Sequence, residues 1–159
     1  MPKIHPFLWF DKEAEEAMNF YVSLFPNSKV LSVQRYGPVG PGPEGSVMTA
    51  DFELDGQRIT ALNGGSVFNF SEAVSFVIDC KDQAEVDHYW DKLLEGGQPS
   101  QCGWLKDRFG FSWQVVPKAL FETIGGPDAA GRKRAMAAMM KMTKLDVAGL
   151  EQAYRGEAA

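Results

Sequence analysis

Apolar and polar positions along the chain fall into two alternating rhythms, and the order in which they alternate is the first information the sequence carries. Ile4 to Phe10 is a short apolar run rich in aromatics and predicts a buried strand. Ala14, Ala17, Met18, Tyr21, Leu24 and Phe25 then recur at helical spacing, with Glu13, Glu15 and Glu16 favouring the positive N-terminal end. Pro26-Asn27 stops that helix. Lys29 to Tyr36 and Val47 to Leu54 read as strands separated by a Gly/Pro segment at 37–45 that suits neither helix nor central strand. Asp55-Gly56 signals a tight hairpin, and Arg58 to Leu62 returns as a strand.

After Asn63-Gly64-Gly65 the order begins again. Val74 to Cys80 predicts a strand, and Val86, Tyr89, Trp90 and Leu93 form a helical stripe that ends at Gly96-Gly97. Strands are expected around Gln101 to Lys106 and Phe111 to Val116, with a turn at Phe109-Gly110. The first strands of the two halves superpose at an offset of 70 and the helices at 69, while the late hairpins give 54. The 37–45 segment accounts for most of the difference, and it reads equally as a lid or as a long hairpin connection. Two βαβββ halves are therefore expected, each with an apolar sheet face that it cannot bury alone. The predicted class is α+β: paired modules forming a curved mixed sheet around a cleft, followed by a C-terminal helical tail. Its expected bounds are a single domain at 1–159, with module one at about 1–65, module two at about 72–118 and the tail at about 119–156. In the tail, Ala135 to Met142 and Leu145 to Tyr154 read as helices, and Arg132-Lys133-Arg134 as a solvated face.

Composition narrows the function classes. A chain of 159 residues with 45% apolar and 23% charged residues suits one globular domain. A net charge of −5, with no basic stripe among aromatics, argues against nucleic acid as a partner. No apolar run approaches a membrane span and the N-terminus lacks a signal-peptide layout, so a cytoplasmic protein is expected. Cys80 and Cys102 then read as free thiols.

Several stretches together carry a resemblance. They are Phe7-Leu8-Trp9-Phe10-Asp11, Leu62-Asn63-Gly64-Gly65, the run from Asp82 to Trp90, the run from Gln101 to Pro117, and Met139 to Asp146 in the tail. On these the chain resembles the glyoxalase/bleomycin-resistance/dioxygenase group, the vicinal oxygen chelate superfamily, and within it the PhnB-like branch also labelled 3-demethylubiquinone methyltransferase-like. The resemblance implies a divalent metal held by one residue from the first and one from the last strand of each half. Those positions are His5, Thr60, Ser75 and Gln114. One imidazole and three neutral oxygens are a poor donor set for a divalent ion, so no cofactor is expected, with His5 and Gln114 the only weak metal candidates.

Strand alternation adds Phe7 and Trp9 to the face of His5, Leu62 to that of Thr60, Val77 to that of Ser75 and Val116 to that of Gln114. With Cys102 and Trp104 nearby in sequence, the expected ligand-binding set is His5, Phe7, Trp9, Thr60, Leu62, Ser75, Cys102, Trp104 and Gln114. Mostly apolar and neutral, it suits an uncharged or planar organic ligand in the cleft. Trp113 points the other way, toward a helix, and His88 is expected at the surface. The alternatives are a metal-dependent lyase, isomerase or dioxygenase with a degenerate site, and a sequestration protein of the bleomycin-resistance type. Methyl transfer is disfavoured because no glycine cluster stands between a strand and a helix. The expected partners are a small molecule and a second copy of the chain, as a homodimer through the Met-rich tail.

Overall fold

The computed structural model describes residues 2–157. Met1, Ala158 and Ala159, which the expected domain of 1–159 includes, lie outside the described residues. The chain divides into two compact units, one ending at Phe70 and the other starting at Ser71.

The first unit runs β1 (Phe7–Phe10), α1 (Ala14–Leu24), β2 (Lys29–Arg35), β3 (Val47–Leu54) and β4 (Gln57–Asn63). Its sheet order is β1-β4-β3-β2, with β1 parallel to β4 and the other pairs antiparallel. Leu8, Phe10, Ala50, Phe52, Leu54, Ile59 and Ala61 form the buried face of this sheet, and Ala14, Ala17, Met18 and Tyr21 are the buried face of α1, which lies on β3 and β4. The first strand begins at Phe7 rather than at Ile4. Pro6 has no N–H to give to a ladder, and it only accepts, from the Thr60 N–H at 3.1 Å.

Segment 37–45 joins β2 to β3 and packs on Tyr36. The Tyr36 N–H reaches Ser46 O at 2.8 Å and the Gly45 N–H reaches Tyr36 O at 2.9 Å. A Cβ at Gly42 would stand 2.2 Å from the Tyr36 ring, so only glycine admits this approach.

The second unit repeats the plan: β5 (Ser75–Cys80), α2 (Gln83–Leu94), β6 (Gln98–Pro99), β7 (Trp104–Lys106) and β8 (Ser112–Pro117). Sheet order is β5-β8-β7-β6, again with the first strand parallel to the last. Two βαβββ modules of the same topology are therefore present. Two details differ from expectation. The two-residue β6 carries no periodic signal, and β7 starts at Trp104 because Cys102 (φ +59°) and Gly103 (φ +85°) form a left-handed turn instead of strand.

Three helices follow: α3 (Lys118–Ile124), α4 (Ala129–Met139) and α5 (Val147–Arg155). The apolar pattern gives no sign of the first as a separate helix, and α4 starts earlier and stops sooner than the expected Ala135 to Met142. Leu145 and Leu150 bury themselves with Val116 and Leu120, with Ile124, Met139 and Met142 packed against them. The basic triplet is only partly a solvated face. Arg132 donates to Gly126 O at 2.9 Å, and Arg134 donates to Ala153 O and Tyr154 O at 2.9 and 2.7 Å, closing the C-terminal end of α5. Among the described residues no helix is long and apolar enough to cross a membrane.

Candidate functional site

On the first module, alternation leaves His5, Phe7, Trp9, Thr60 and Leu62 on the face away from α1, and register brings them together. Phe7 pairs with Thr60 and Trp9 with Leu62 along the parallel strands. His5, just ahead of β1, holds its Nε2 3.0 Å from Thr60 Oγ1. The Thr60 hydroxyl donates to Asp51 Oδ1, and Arg58 donates to Asp51 Oδ2 at 3.1 Å. Since the Thr60 proton goes to a carboxylate, its oxygen accepts from His5, which makes Nε2 a protonated ring nitrogen. Burial raises the Asp51 carboxyl, but the hydrogen bonds from Thr60 and Arg58, with the Arg58 charge and the nearby His5 ring, outweigh it and hold the group below its ordinary value.

Asn63-Gly64-Gly65 is explained by what surrounds Trp9. The indole Nε1 donates to Gly65 O at 2.8 Å, and a Cβ at Gly64 would come within 2.4 Å of the ring. Asn63 Oδ1 accepts from the Ala14 N–H at 2.8 Å, capping an α1 whose own N-cap side chain makes no such bond. The Trp9 ring meets Phe68 edge-to-face at 4.9 Å, and Phe7 is 55% exposed. The result is an aromatic platform beside a polar relay.

On the second module, Ser75 and Gln114 are also brought together: Gln114 Nε2 donates to Ser75 Oγ at 2.9 Å. Trp104 pairs with Gln114 across β7 and β8. Two expected positions are not brought to this pair. Val116 is buried in the core with Leu120, Leu145 and Leu150. Cys102 stands apart from the row, in the turn before β7, where its N–H donates to Met142 O at 2.9 Å. Both cysteines are free thiols, and burial pushes Cys80 up to about 12, which leaves it inert. Trp113 is buried as expected, and His88 is exposed.

Within the run from Trp104 to Trp113, Asp107 is structural. Asp107, 3% exposed, accepts from the N–H groups of Phe109 and Phe111 through Oδ1, at 2.9 and 3.0 Å, and from Trp113 Nε1 through Oδ2 at 2.8 Å. One carboxylate thus folds the β7–β8 hairpin and anchors the tryptophan.

Sequence reading missed Asp51, Arg58, Ser112 and Lys106, and three of these four bring charge beside positions expected to be neutral. A signal for the first two existed. The two-residue turn at Asp55-Gly56 sets Leu54 opposite Gln57, and counting back along the ladder places Asp51 opposite Thr60 and Glu53 opposite Arg58.

Two βαβββ modules of one topology, with paired side chains at the first and last strands of each, define a glyoxalase-fold protein of the vicinal oxygen chelate superfamily. The chain belongs to the family described as 3-demethylubiquinone-9 3-methyltransferase, whose model matches residues 2–116, and it is PhnB-like. It is similar to a solved Bacillus cereus structure named as a PhnB protein and putative 3-demethylubiquinone-9 3-methyltransferase. Identity is 38% over 73% of this chain and 99% of that one, with a TM-score of 0.68. A Pseudomonas aeruginosa structure shares the fold at 19% identity over 74% and 98% of the two chains, with a TM-score of 0.62. So does the fosfomycin resistance protein FosX from Listeria monocytogenes, solved in complex with Mn(II) and a sulfate ion, at 15% identity over 74% and 91% and a TM-score of 0.51. Among curated proteins nothing matches.

Proposed function

We propose that the chain binds a small planar organic ligand on the open sheet faces of its modules, without a tightly held divalent metal. The observation that carries this reading is that the positions corresponding to metal ligands are occupied with one another. His5 gives its Nε2 proton to Thr60, Thr60 gives its proton to Asp51, both Asp51 oxygens are engaged, and Gln114 bonds Ser75. Among the described residues no three of His, Cys, Asp or Glu come together. Imidazole with hydroxyl and amide oxygens does not suit a divalent ion, which needs anionic or imidazole donors to offset its lost hydration. Phe7, Trp9 and Phe68 supply an apolar aromatic surface, with the Trp9 and Phe68 rings set edge-to-face, and His5 Nδ1 supplies a polar atom for hydrogen bonding to a ligand.

The methyl transfer in the family's description is not part of this reading. Gly37 to Gly45 joins β2 to β3, Gly64-Gly65 follows β4, and Gly125-Gly126 lies between α3 and α4. None forms the strand-to-helix turn through which a nucleotide-like cofactor is usually cradled. The proposal includes a homodimer, supported by apolar side chains that a single chain leaves exposed, among them Phe121 (58%) and Met140 (65%).

Metal analysis of protein purified without chelators tests the reading. Substoichiometric Zn²⁺, Ni²⁺, Mn²⁺ and Fe²⁺ are expected, unchanged in His5→Ala. A stoichiometric ion that disappears in His5→Ala would overturn it.

A further inference from the structure

Within the second module, one row of side chains includes a buried polar group that the fold leaves unsatisfied among the described residues. Ser75, Ser112 and Lys106 are register partners on adjacent strands β5, β8 and β7, so they stand side by side on one sheet face. Ser112 is 1% exposed, and its hydroxyl has no hydrogen-bond partner among the described residues. A buried hydroxyl in that state is unfavourable, and native structures rarely keep one without a use. Lys106 carries its charge to the Glu72 carboxylate, and both side chains are well exposed, at 40% and 64%. The Lys106 ammonium holds the Glu72 carboxyl below its usual value. The next row on the same face is Val77, Gln114 and Trp104, with Val77 51% exposed.

We propose that the Ser75–Ser112–Lys106 row is an anion subsite that takes the carboxylate of a small organic acid, whose apolar body lies along Val77 and Trp104. This rests on the ligand-binding reading above and names the ligand class for the second module's face. The row holds two hydroxyls and an ammonium, all able to donate, and the group it lacks is an anionic acceptor. Glu72 supplies one from the surface when no ligand is present. An exposed ion pair of this kind yields readily, so a ligand carboxylate replaces Glu72 like for like and reaches the orphaned Ser112 hydroxyl as well. The apolar row beside it favours a carboxylate on a hydrocarbon or aromatic frame over a bare inorganic anion.

Calorimetric titration of the full chain with benzoate, and with benzamide as its neutral counterpart, tests the assignment. Benzoate is expected to bind saturably and benzamide about tenfold or more weakly. Lys106→Gln and Ser112→Ala should each weaken benzoate about tenfold, while Glu72→Gln should tighten it by removing the competing carboxylate. Ser112→Ala should do so without lowering the melting temperature, because the hydroxyl it removes makes no bond in the free chain. Benzamide bound as tightly as benzoate keeps ligand binding and overturns the carboxylate. Benzoate affinity unchanged in Lys106→Gln, or weakened in Glu72→Gln, overturns the subsite, as does no binding of either compound. Metal analysis of His5→Ala reads the metal-free proposal independently of these titrations.

Discussion

Asp107 shows how much one side chain can organise. Its two oxygens satisfy two backbone N–H groups of the hairpin and the Trp113 indole, with the carboxylate itself buried. Asp107→Ala leaves three donors without an acceptor and is expected to cost about 3 kcal/mol or more, measured by urea denaturation. Asp51 makes a different kind of prediction. Its folded-state pKa lies below the unfolded value, so the stability it contributes is present above the ordinary carboxylate range and is lost as pH falls through the folded pKa. Between pH 7 and pH 3, wild type should therefore lose more stability than Asp51→Asn, as read by thermal melts across that range. Equal slopes would show that Asp51 is not coupled to Thr60 and Arg58 in the folded chain. The same relay fixes which His5 ring nitrogen bonds Thr60, so the orientation of the imidazole depends on a residue two strands away in the sheet order.

At the scale of elements, the tail is the informative part. It is joined to the second module by backbone and side-chain bonds rather than by apolar contact alone. Gln83, in the first turn of α2, donates to Leu145 O at 3.2 Å and accepts from the Val147 N–H at 2.7 Å. Lys144 meets Asp87 at 2.8 Å, and Gly103 donates to Thr143 O at 2.8 Å. Residues 142–147 thus form a strap across the start of α2 and the turn before β7. Inside the tail, Tyr154 wedges against Gly131, where a Cβ would stand 2.7 Å from its ring. Gln83→Ala should release the strap before the rest of the unit. Faster amide exchange in 145–155, with β8 unchanged and a stability loss of about 1–2 kcal/mol, is the expected result. Uniformly faster exchange across the second unit would show that strap and sheet open together.

For the whole molecule, the family model matches residues 2–116, and α3, α4 and α5 follow the matched residues as a helical continuation of the second unit. Charge is a property at this scale too. A net charge of −5 with a pI of about 5.0 predicts a solubility minimum near pH 5 that rises on either side, measured as the protein left in solution after equilibration. A minimum displaced below pH 5 would show that carboxylates such as Asp51 and Asp87, held below their ordinary values, lower the true neutral point.

The sequence by itself determined the two modules, their internal order and the faces of their strands. Periodicity is a local property, and Leu8, Phe10, Ile59 and Ala61 turn inward wherever β1 and β4 form. Register was half legible: the Asp55-Gly56 turn encodes the Asp51–Thr60 pair, because a two-residue turn leaves the ladder no freedom. What only the tertiary structure decided was which polar groups end up satisfied. His5 meets Thr60 across 55 residues of chain, Gln114 meets Ser75 across 39, and Gln83 holds Val147 across 64. Val116 goes to the tail core rather than to the open face, and Ser112 is left without a partner among the described residues. No local rule reaches so far, since hydrogen bonding and burial depend on which surfaces the folded chain brings into contact.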